Sequence, residues 1–288
     1  MSQVAVLTPG PGAGSYVDQW NGVLARLGEA LAPAGITVAP RTWTEHVDGE
    51  GLGGFPLVLP LIAWGYHLDH ARWLAACSAW AARGLPLANP ASVLAWNSDK
   101  AYLGRLAERG VPIAPTHWID DPTDADVASA FDAFGAAEVI VKPRVSGGAF
   151  KTLRLKPGDR LTDPPVGSAM IQPYLPTIAS EGELSLLFFG GRFSHAVRKT
   201  PVEGEFRIQV QFGGRYRPET PPPQAMALAE RALGAVEEDL LYARVDMVRD
   251  AEGRWLLMEL ELIEPDFYLG SDPASGAGFA RAVRERLG

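Results

Sequence analysis

The chain has 288 residues, 47% of them hydrophobic and 21% charged, and a formal net charge of −8. That length exceeds one compact domain and suits two or three lobes around one site. The acidic balance makes nucleic acid and anionic membrane poor general partners, so an anion site has to be a local basic cluster. No apolar run approaches the roughly 18 residues of a membrane-spanning helix, and Met1 to Pro9 lacks the basic start and apolar core of a secretory signal, so a cytoplasmic protein is expected. The single cysteine, Cys77, excludes an internal disulfide and is expected to pack on a helix face with Trp73, Leu74 and Trp80.

Val4 to Thr8 reads as a buried strand, followed by a Gly/Pro turn from Pro9 to Gly14. Trp20, Val23, Leu24, Leu27 and Leu31 have helical spacing, ended by Pro33 to Gly35. Ile36 to Ala39 and Leu57 to Ile62 are further strands, and Leu68 to Arg83 a helix closed by Gly84. Strands alternating with helices predict a parallel α/β lobe over residues 1–92. A helix capped by Asn97 or Ser98 and stopped before Gly110 follows, then an extended Val111 to Ile119 and a helix over Thr123 to Phe134. Val139 to Val141 and Lys151 to Leu155 read as strands around a glycine-containing loop, giving a second lobe over 93–170. In residues 171–288 the pattern turns antiparallel. Glu183 to Phe189, Gly190-Gly191 and Arg192 to Lys199 form a hairpin; Phe206 to Phe212 alternates as a strand; Pro221 to Leu233 is a helix; Tyr242 to Arg249 and Arg254 to Leu262 are a last hairpin. The expected fold is α/β followed by two α+β lobes closing on a cleft.

The last hairpin carries the strongest chemical signal. Side chains alternate faces along a strand, so Glu259 and Glu261 point one way and Leu256, Met258 and Leu260 supply the other, buried face. With the turn at Glu252-Gly253, paired positions sum to about 505, which sets Asp246 opposite Glu259 and Arg244 opposite Glu261. Opposed like charges destabilise a sheet. Such a cluster calls for a cation, and hard carboxylate oxygens suit Mg²⁺. The same pattern also fits a solvated acidic face.

Two basic features precede it. Val139 to Pro143 ends an apolar strand on Lys142, and Ser146, Gly147, Gly148, Ala149 and Phe150 follow. Glycines let backbone N–H groups approach an anion, and a neighbouring lysine adds charge. The run is not a Walker loop, and a plain connector would look similar. Lys100 stands at a predicted helix start, where a surface lysine opposes the helix dipole and an anionic partner would relieve it. Arg198, Lys199 and Arg207 read by default as a solvated basic patch. His67, His117 and His195 lack metal-ligand spacing, and no nucleophile–base motif appears.

In order, Asn97-x-x-Lys100, Val141-Lys142-Pro143, the Ser146 to Phe150 loop, Gln172-Pro173-Tyr174-Leu175, Asp246 and Glu259-x-Glu261 resemble the ATP-grasp superfamily over about Ser92 to Asp266. The run from Arg198 through Gly204-Glu205-Phe206-Arg207 to Gly213-Gly214 is similar to prokaryotic glutathione synthetases, and Met258 to Pro265 to the cycloserine-forming ligases. The resemblance implies that Lys100, Lys142 and the 146–150 loop hold ATP phosphates, that Gln172, Tyr174 and Leu175 receive adenine, and that Glu183 lies near the ribose. It implies Mg²⁺, with Mn²⁺ as a substitute, on Asp246, Glu259 and Glu261. Arg207 would meet the transferred phosphoryl group, and Lys199 and Arg244 join it as candidate catalytic residues. Two positions depart from the glutathione synthetase pattern: Glu261 stands for Asn, and Gln209 for the Asn two residues after the matched Arg.

The implied activity is ATP-dependent ligation of a small-molecule carboxylate and an amine, intramolecular ligation included, through an acyl phosphate. A small-molecule kinase or a non-catalytic nucleotide binder on the same scaffold is the alternative. The family commonly forms dimers or tetramers. Specificity is expected from Trp64 to His67, Pro201 to Glu205 and Glu264 to Tyr268, although Trp64, Tyr66 and His67 fit ordinary packing equally well.

Overall fold

The structure, a computed structural model, describes residues 2–11, 19–202, 205, 207–208 and 212–288. Its N-terminal sheet is parallel, with β1 (Ser2–Thr8) between β2 (Ile36–Thr42) and β3 (Val58–Leu59). Parallel strands covered on both faces read as continuous apolar runs, and Val4 to Leu7 is one, fully buried. α1 (Trp20–Leu31) packs Leu27 and Leu31 onto this sheet, and the C-terminal helix α8 (Ala277–Leu287) returns to the same core through Phe279 and Val283. The third strand is shorter than its Leu57 to Ile62 apolar run, because only Val58 and Leu59 pair with β1.

α2 (His70–Ala82) is capped by Asp69, whose side chain accepts the Arg72 N–H at 3.2 Å. Its buried face stacks Trp73 edge-on against Trp43 at 5.5 Å and Trp80 at 5.6 Å. Cys77 lies in this layer, its thiol pushed up to about 12 by burial, so packing is its role.

The Asn97/Ser98 helix start is corrected. α3 (Ala91–Asn97) ends there, a turn carries Ser98 to Ala101, and α4 (Tyr102–Glu108) begins only then. Asn97 caps nothing. It is spent on the backbone of another strand, as described below.

The middle sheet is antiparallel in the order β4 (His117–Asp120), β7 (Ser168–Pro173), β5 (Val139–Pro143), β6 (Leu153–Leu155). α5 (Asp124–Phe134), opened by a reciprocal Thr123/Asp126 capping box, covers it through Val127 and Ala130. Sequence patterning missed β7, which runs across position 170 and forms the sheet's interior with β5.

The C-terminal sheet is antiparallel in the order β10 (Arg215–Glu219), β9 (Arg192–Thr200), β8 (Glu183–Phe189), β11 (Tyr242–Arg249), β12 (Trp255–Glu261). A short α6 (Thr177–Ser180) leads into β8. α7 (Pro223–Gly234) and α4 bury one face of the sheet with Leu184, Leu186, Val245, Met247, Leu257 and Leu260. The expected strand over Phe206 to Phe212 falls largely outside the described residues (Phe206 and Gln209 to Gln211). Among those described, the strand beside β9 is β10. The sheet's other face carries the charge. Lys199 lies opposite Glu183, Asp246 opposite Ser185 and Glu259, and Arg244 opposite Leu187 and Glu261.

Candidate active site

The hairpin register is the one the sequence predicts on the site side, with Arg244 paired to Glu261 and Asp246 to Glu259. It then slips by one residue: Met247 pairs with Leu257, leaving Met258 as a bulge. The expected single apolar face of Leu256, Met258 and Leu260 is therefore wrong. Leu257 and Leu260 enter the helix-covered core, while Leu256 and Met258 join Leu175, Val248 and Ala114 in a separate apolar cluster.

β12 is an edge strand, and its open backbone is met by side chains. Asn97 donates from Nδ2 to Leu260 O at 2.8 Å and accepts the Leu262 N–H at 3.0 Å, in the manner of a neighbouring strand. The Tyr102 hydroxyl accepts the Leu260 N–H at 2.9 Å, and Asn89 donates to Leu262 O at 2.9 Å. These contacts fix the strand that presents Glu259 and Glu261.

One oxygen from each of Asp246, Glu259 and Glu261 lies within 4.8 Å of the others. Asp246 is 2% exposed, and the Glu259 and Glu261 side chains keep 30% and 28% of their surface in solvent. An all-oxygen set of this spacing, open on one side, fits a hard divalent cation such as Mg²⁺ completed by substrate oxygens.

The trio is not bare. Arg244 donates to both oxygens of Asp246 at 2.9–3.1 Å and also pairs with Glu261. Lys199 pairs with Glu183 and lies 3.4 Å from Asp246. The Ser185 hydroxyl donates to Asp246 at 2.5 Å, and Lys100 lies 3.4 Å from Glu259.

These partners separate the carboxylates. Burial raises Asp246, but Arg244 and then Lys199 outweigh it and bring the group down to about 2. Burial also acts on Glu261, where one arginine is set against Asp246 and Glu259, and the group rises to about 8. Glu183 is pushed up to about 7 by burial despite Lys199. Glu259 falls, because Lys100 and Lys142 exceed the effect of burial.

Three basic residues expected at the surface are buried. Lys100 is 9% exposed and holds the glycine loop, donating to Ser146 O at 2.8 Å and Ser146 Oγ at 3.2 Å. Arg198 and Lys199 sit inside the sheet and not in a solvated patch. Only Lys199 faces the carboxylates; Arg198 points to the opposite face, toward Glu219.

Lys142, at the end of β5, has no ion-pair partner among the described residues. Burial lowers its ammonium, and Glu259 opposes the shift. Beyond it the loop turns through left-handed backbone at Gly148, Ala149 and Lys151 (φ 60°, 62° and 47°). Phe150 at its tip is 40% exposed and meets His67 of the N-terminal lobe, ring centres 5.5 Å apart.

The hinge lies beside the Leu256/Met258 cluster. Gln172 is buried and donates to Thr116 Oγ1 at 2.9 Å. The Tyr174 N–H is spent on Glu138 O, and its ring is stacked by Arg154 at 3.8 Å. Leu175 packs into the cluster itself. Arg207 is bound by Glu205 at 2.7 and 3.0 Å and stacks on Phe212 at 3.7 Å, contacts that do not join it to the acidic trio.

Comparison with known proteins meets this geometry. The family of D-cycloserine synthetase DcsG N-terminal domains matches residues 4–89. The cycloserine biosynthesis protein DcsG of Streptomyces lavendulae is 30% identical over 281 residues, covering 90% of this chain and 92% of that protein. The chain belongs to the DcsG family of ATP-grasp ligases. The crystal structure of D-cycloserine synthetase DcsG superimposes with a TM-score of 0.81 at 26% identity over the whole of both chains. Glutathione synthetase of Prochlorococcus marinus is 29% identical over 212 residues, 70% of this chain and 64% of that protein.

The protein is therefore an enzyme of the ATP-grasp ligase class with the expected fold. No helix among the described residues is long and apolar enough to cross a membrane. In this DcsG-family ligase, sequence reasoning missed Ser185, which patterning reads as an ordinary strand serine. It also missed Leu256 and Met258, which reach the site side only through a bulge that hydrophobic alternation does not announce.

Proposed function

We propose that the protein uses Mg-ATP to convert a small-molecule carboxylate into an acyl phosphate, which an amine then attacks to give an amide, ADP and phosphate. The observation that carries this is the acidic trio standing on one sheet face, linked through Lys100 to the loop that follows Lys142.

A carboxylate is unreactive because its leaving group would be oxide, and phosphorylation supplies a better one. The protein's work is positioning and charge neutralisation. Lys142 and Lys100 hold phosphate oxygens, with the N–H groups of Ser146 to Phe150 closing over them. Leu175, Leu256 and Met258 give adenine an apolar slot. Because the Tyr174 N–H is already used, the Leu175 N–H is the hinge donor left for the base. Asp246, Glu259 and Glu261 would hold Mg²⁺, which when bound draws charge from the phosphates. Glu183, tied to Lys199, faces the ribose side. Arg207 would have to leave Glu205 to reach the transferred group.

The test is product-resolved. Candidate acids are incubated with Mg-ATP and hydroxylamine, which traps an acyl phosphate as a hydroxamate with release of phosphate. Hydroxamate, ADP and phosphate in equal amounts are expected. A stable phosphorylated product without free phosphate would make the protein a kinase, and no ATP consumption with any acid would leave a nucleotide binder.

A further inference from the structure

Asp99 and Arg144 stand at the mouth of the phosphate loop, and the roles above use neither. Arg144 lies two residues after Lys142 and two before Ser146, where a further phosphate cation would be looked for. The fold spends it otherwise. Its guanidinium donates from Nε to Asp99 Oδ1 at 2.9 Å and from Nη2 to Asp99 Oδ2 at 2.5 Å, a bidentate pair with 25% and 28% of the two side chains exposed. The backbones join beside it, the Lys100 N–H donating to Arg144 O at 3.0 Å. The Arg144 N–H donates in turn to Ser168 O at the start of β7, also at 3.0 Å.

The two partners come from different parts of the molecule. Asp99 lies in the turn between α3 and α4, and the residues flanking that turn hold β12: Asn97 through Leu260 O and Leu262 N–H, Tyr102 through Leu260 N–H. Arg144 follows β5 of the middle sheet. The ion pair therefore brackets the strand that presents Glu259 and Glu261 to the strand that ends on Lys142. Burial raises Asp99, but Arg144 outweighs it and holds the carboxyl below its usual range, so the pair stays charged at neutral pH.

The phosphate half needs such a brace. Lys100 and Lys142 carry like charges, and Lys100 adds to the effect of burial in lowering the Lys142 ammonium, against Glu259. Aiming two ammonium groups at one anion before it arrives takes a support that uses neither of them. The Lys100 contacts with Ser146 draw on an ammonium meant for phosphate, whereas the Asp99–Arg144 pair draws on none.

We propose that Asp99 and Arg144 are positioning residues, their ion pair bracing the loop against the turn that carries Lys100 so that Lys100 and Lys142 act as one phosphate clamp, with Arg144 itself not touching the nucleotide. This rests on the Mg-ATP reading of the site and adds what preorganises its phosphate half.

The experiment titrates Mg-ATP and, as a ligand without phosphates, adenosine into the full chain by calorimetry. The variants are Asp99→Asn, Arg144→Met, Arg144→Lys and the double variant of the first two. Asp99 Oδ1 also accepts the Ala101 N–H at 2.9 Å, and Asp99→Asn keeps an oxygen for it while removing the charge. Asp99→Asn and Arg144→Met should each weaken Mg-ATP about fivefold or more and leave adenosine at its wild-type Kd, and the double variant should be no weaker than the weaker single one, as for members of one unit. Arg144→Lys should recover part of the loss.

Adenosine weakened as much as Mg-ATP would make the pair merely structural and overturn the proposal. A loss in Arg144→Met without one in Asp99→Asn, or losses that add in the double variant, would make Arg144 a phosphate ligand in its own right and overturn it too, as would unchanged Mg-ATP binding in both single variants. A wild type that fails to bind Mg-ATP is the separate result that brings down the ligase reading itself.

Discussion

The two halves of the site are built by opposite means. The acidic half stands on β11 and β12, where register sets three carboxylates and Arg244, Lys199, Ser185 and Lys100 already hold them. The phosphate half is a loop of left-handed turns following a lysine with no ion-pair partner among the described residues. The first half is pre-assembled by the protein's own charges, so electrostatic discomfort alone does not demand a metal there. The second half gains most when an anion arrives, because Lys142 has no ion pair among the described residues and Glu259 only partly opposes the effect of its burial. Lys100 belongs to both, joining Glu259 to Ser146, and couples the sheet half to the loop half by a single ammonium.

The sharpest way to break this contrast is to remove one charge from each half. Asp246→Ala leaves Arg244 and Lys199 buried with a partner lost, and breaking a buried pair in this way costs about 3 kcal/mol or more. Turnover should vanish and the urea midpoint should fall together. Lys142→Met removes an ion that is lowered by burial and has no ion pair among the described residues. Turnover should drop about 100-fold or more, as for loss of one preorganised charge donor, while the urea midpoint stays level or rises. A Lys142→Met protein that unfolds like Asp246→Ala would show that the two halves do not differ as described.

The next effect in size concerns the strand edge. Asn97→Ala deletes a donor to Leu260 O and an acceptor for Leu262 N–H, both buried, and each unsatisfied group costs about 1–3 kcal/mol. Stability should fall by about 2–6 kcal/mol in denaturant titration. If β12 is what presents Glu259 and Glu261, the apparent affinity for Mg²⁺ should weaken as well. Unchanged metal affinity would mean that the strand is held by its hairpin alone.

What could be read beforehand divides along the same line. Pairing of Arg244 with Glu261 and Asp246 with Glu259 follows from period-two alternation and one turn, both local, so the acidic half was legible. The Met258 bulge was not, because an inserted residue leaves no mark in a run of leucine and methionine. Asn97 looked like a helix cap because a short polar side chain before an amphipathic run serves that purpose in most chains. Its use as a surrogate strand depends on backbone groups 163 and 165 residues away. β7 escaped because Ser168 to Pro173 is too mixed in character to announce itself, although it is one of the two interior strands of its sheet. The burial of Lys199 and Lys100 was hidden for a related reason: charge reads as surface until its partners are placed.

The smallest predicted effect tests the loop by itself. Ala149 sits at φ 62°, a region where a side chain costs roughly 1 kcal/mol relative to glycine, and its neighbour Gly148 has the same handedness without that cost. Ala149→Gly relieves local strain in the folded loop but also loosens the unfolded chain, so unfolding free energy should change by less than about 1 kcal/mol. The informative reading is kinetic. If the loop works by closing over phosphates in this left-handed form, a glycine makes other forms equally accessible, and KM for ATP should rise two- to fivefold (~0.4–1 kcal/mol by RT ln of the ratio) with kcat nearly unchanged. The same substitution should shift the urea midpoint of Asp246→Ala by the same small amount as it shifts the wild type, since distant sites with no shared partner add independently. Coupling between them would mean that Lys100 transmits more than a charge from the sheet to the loop.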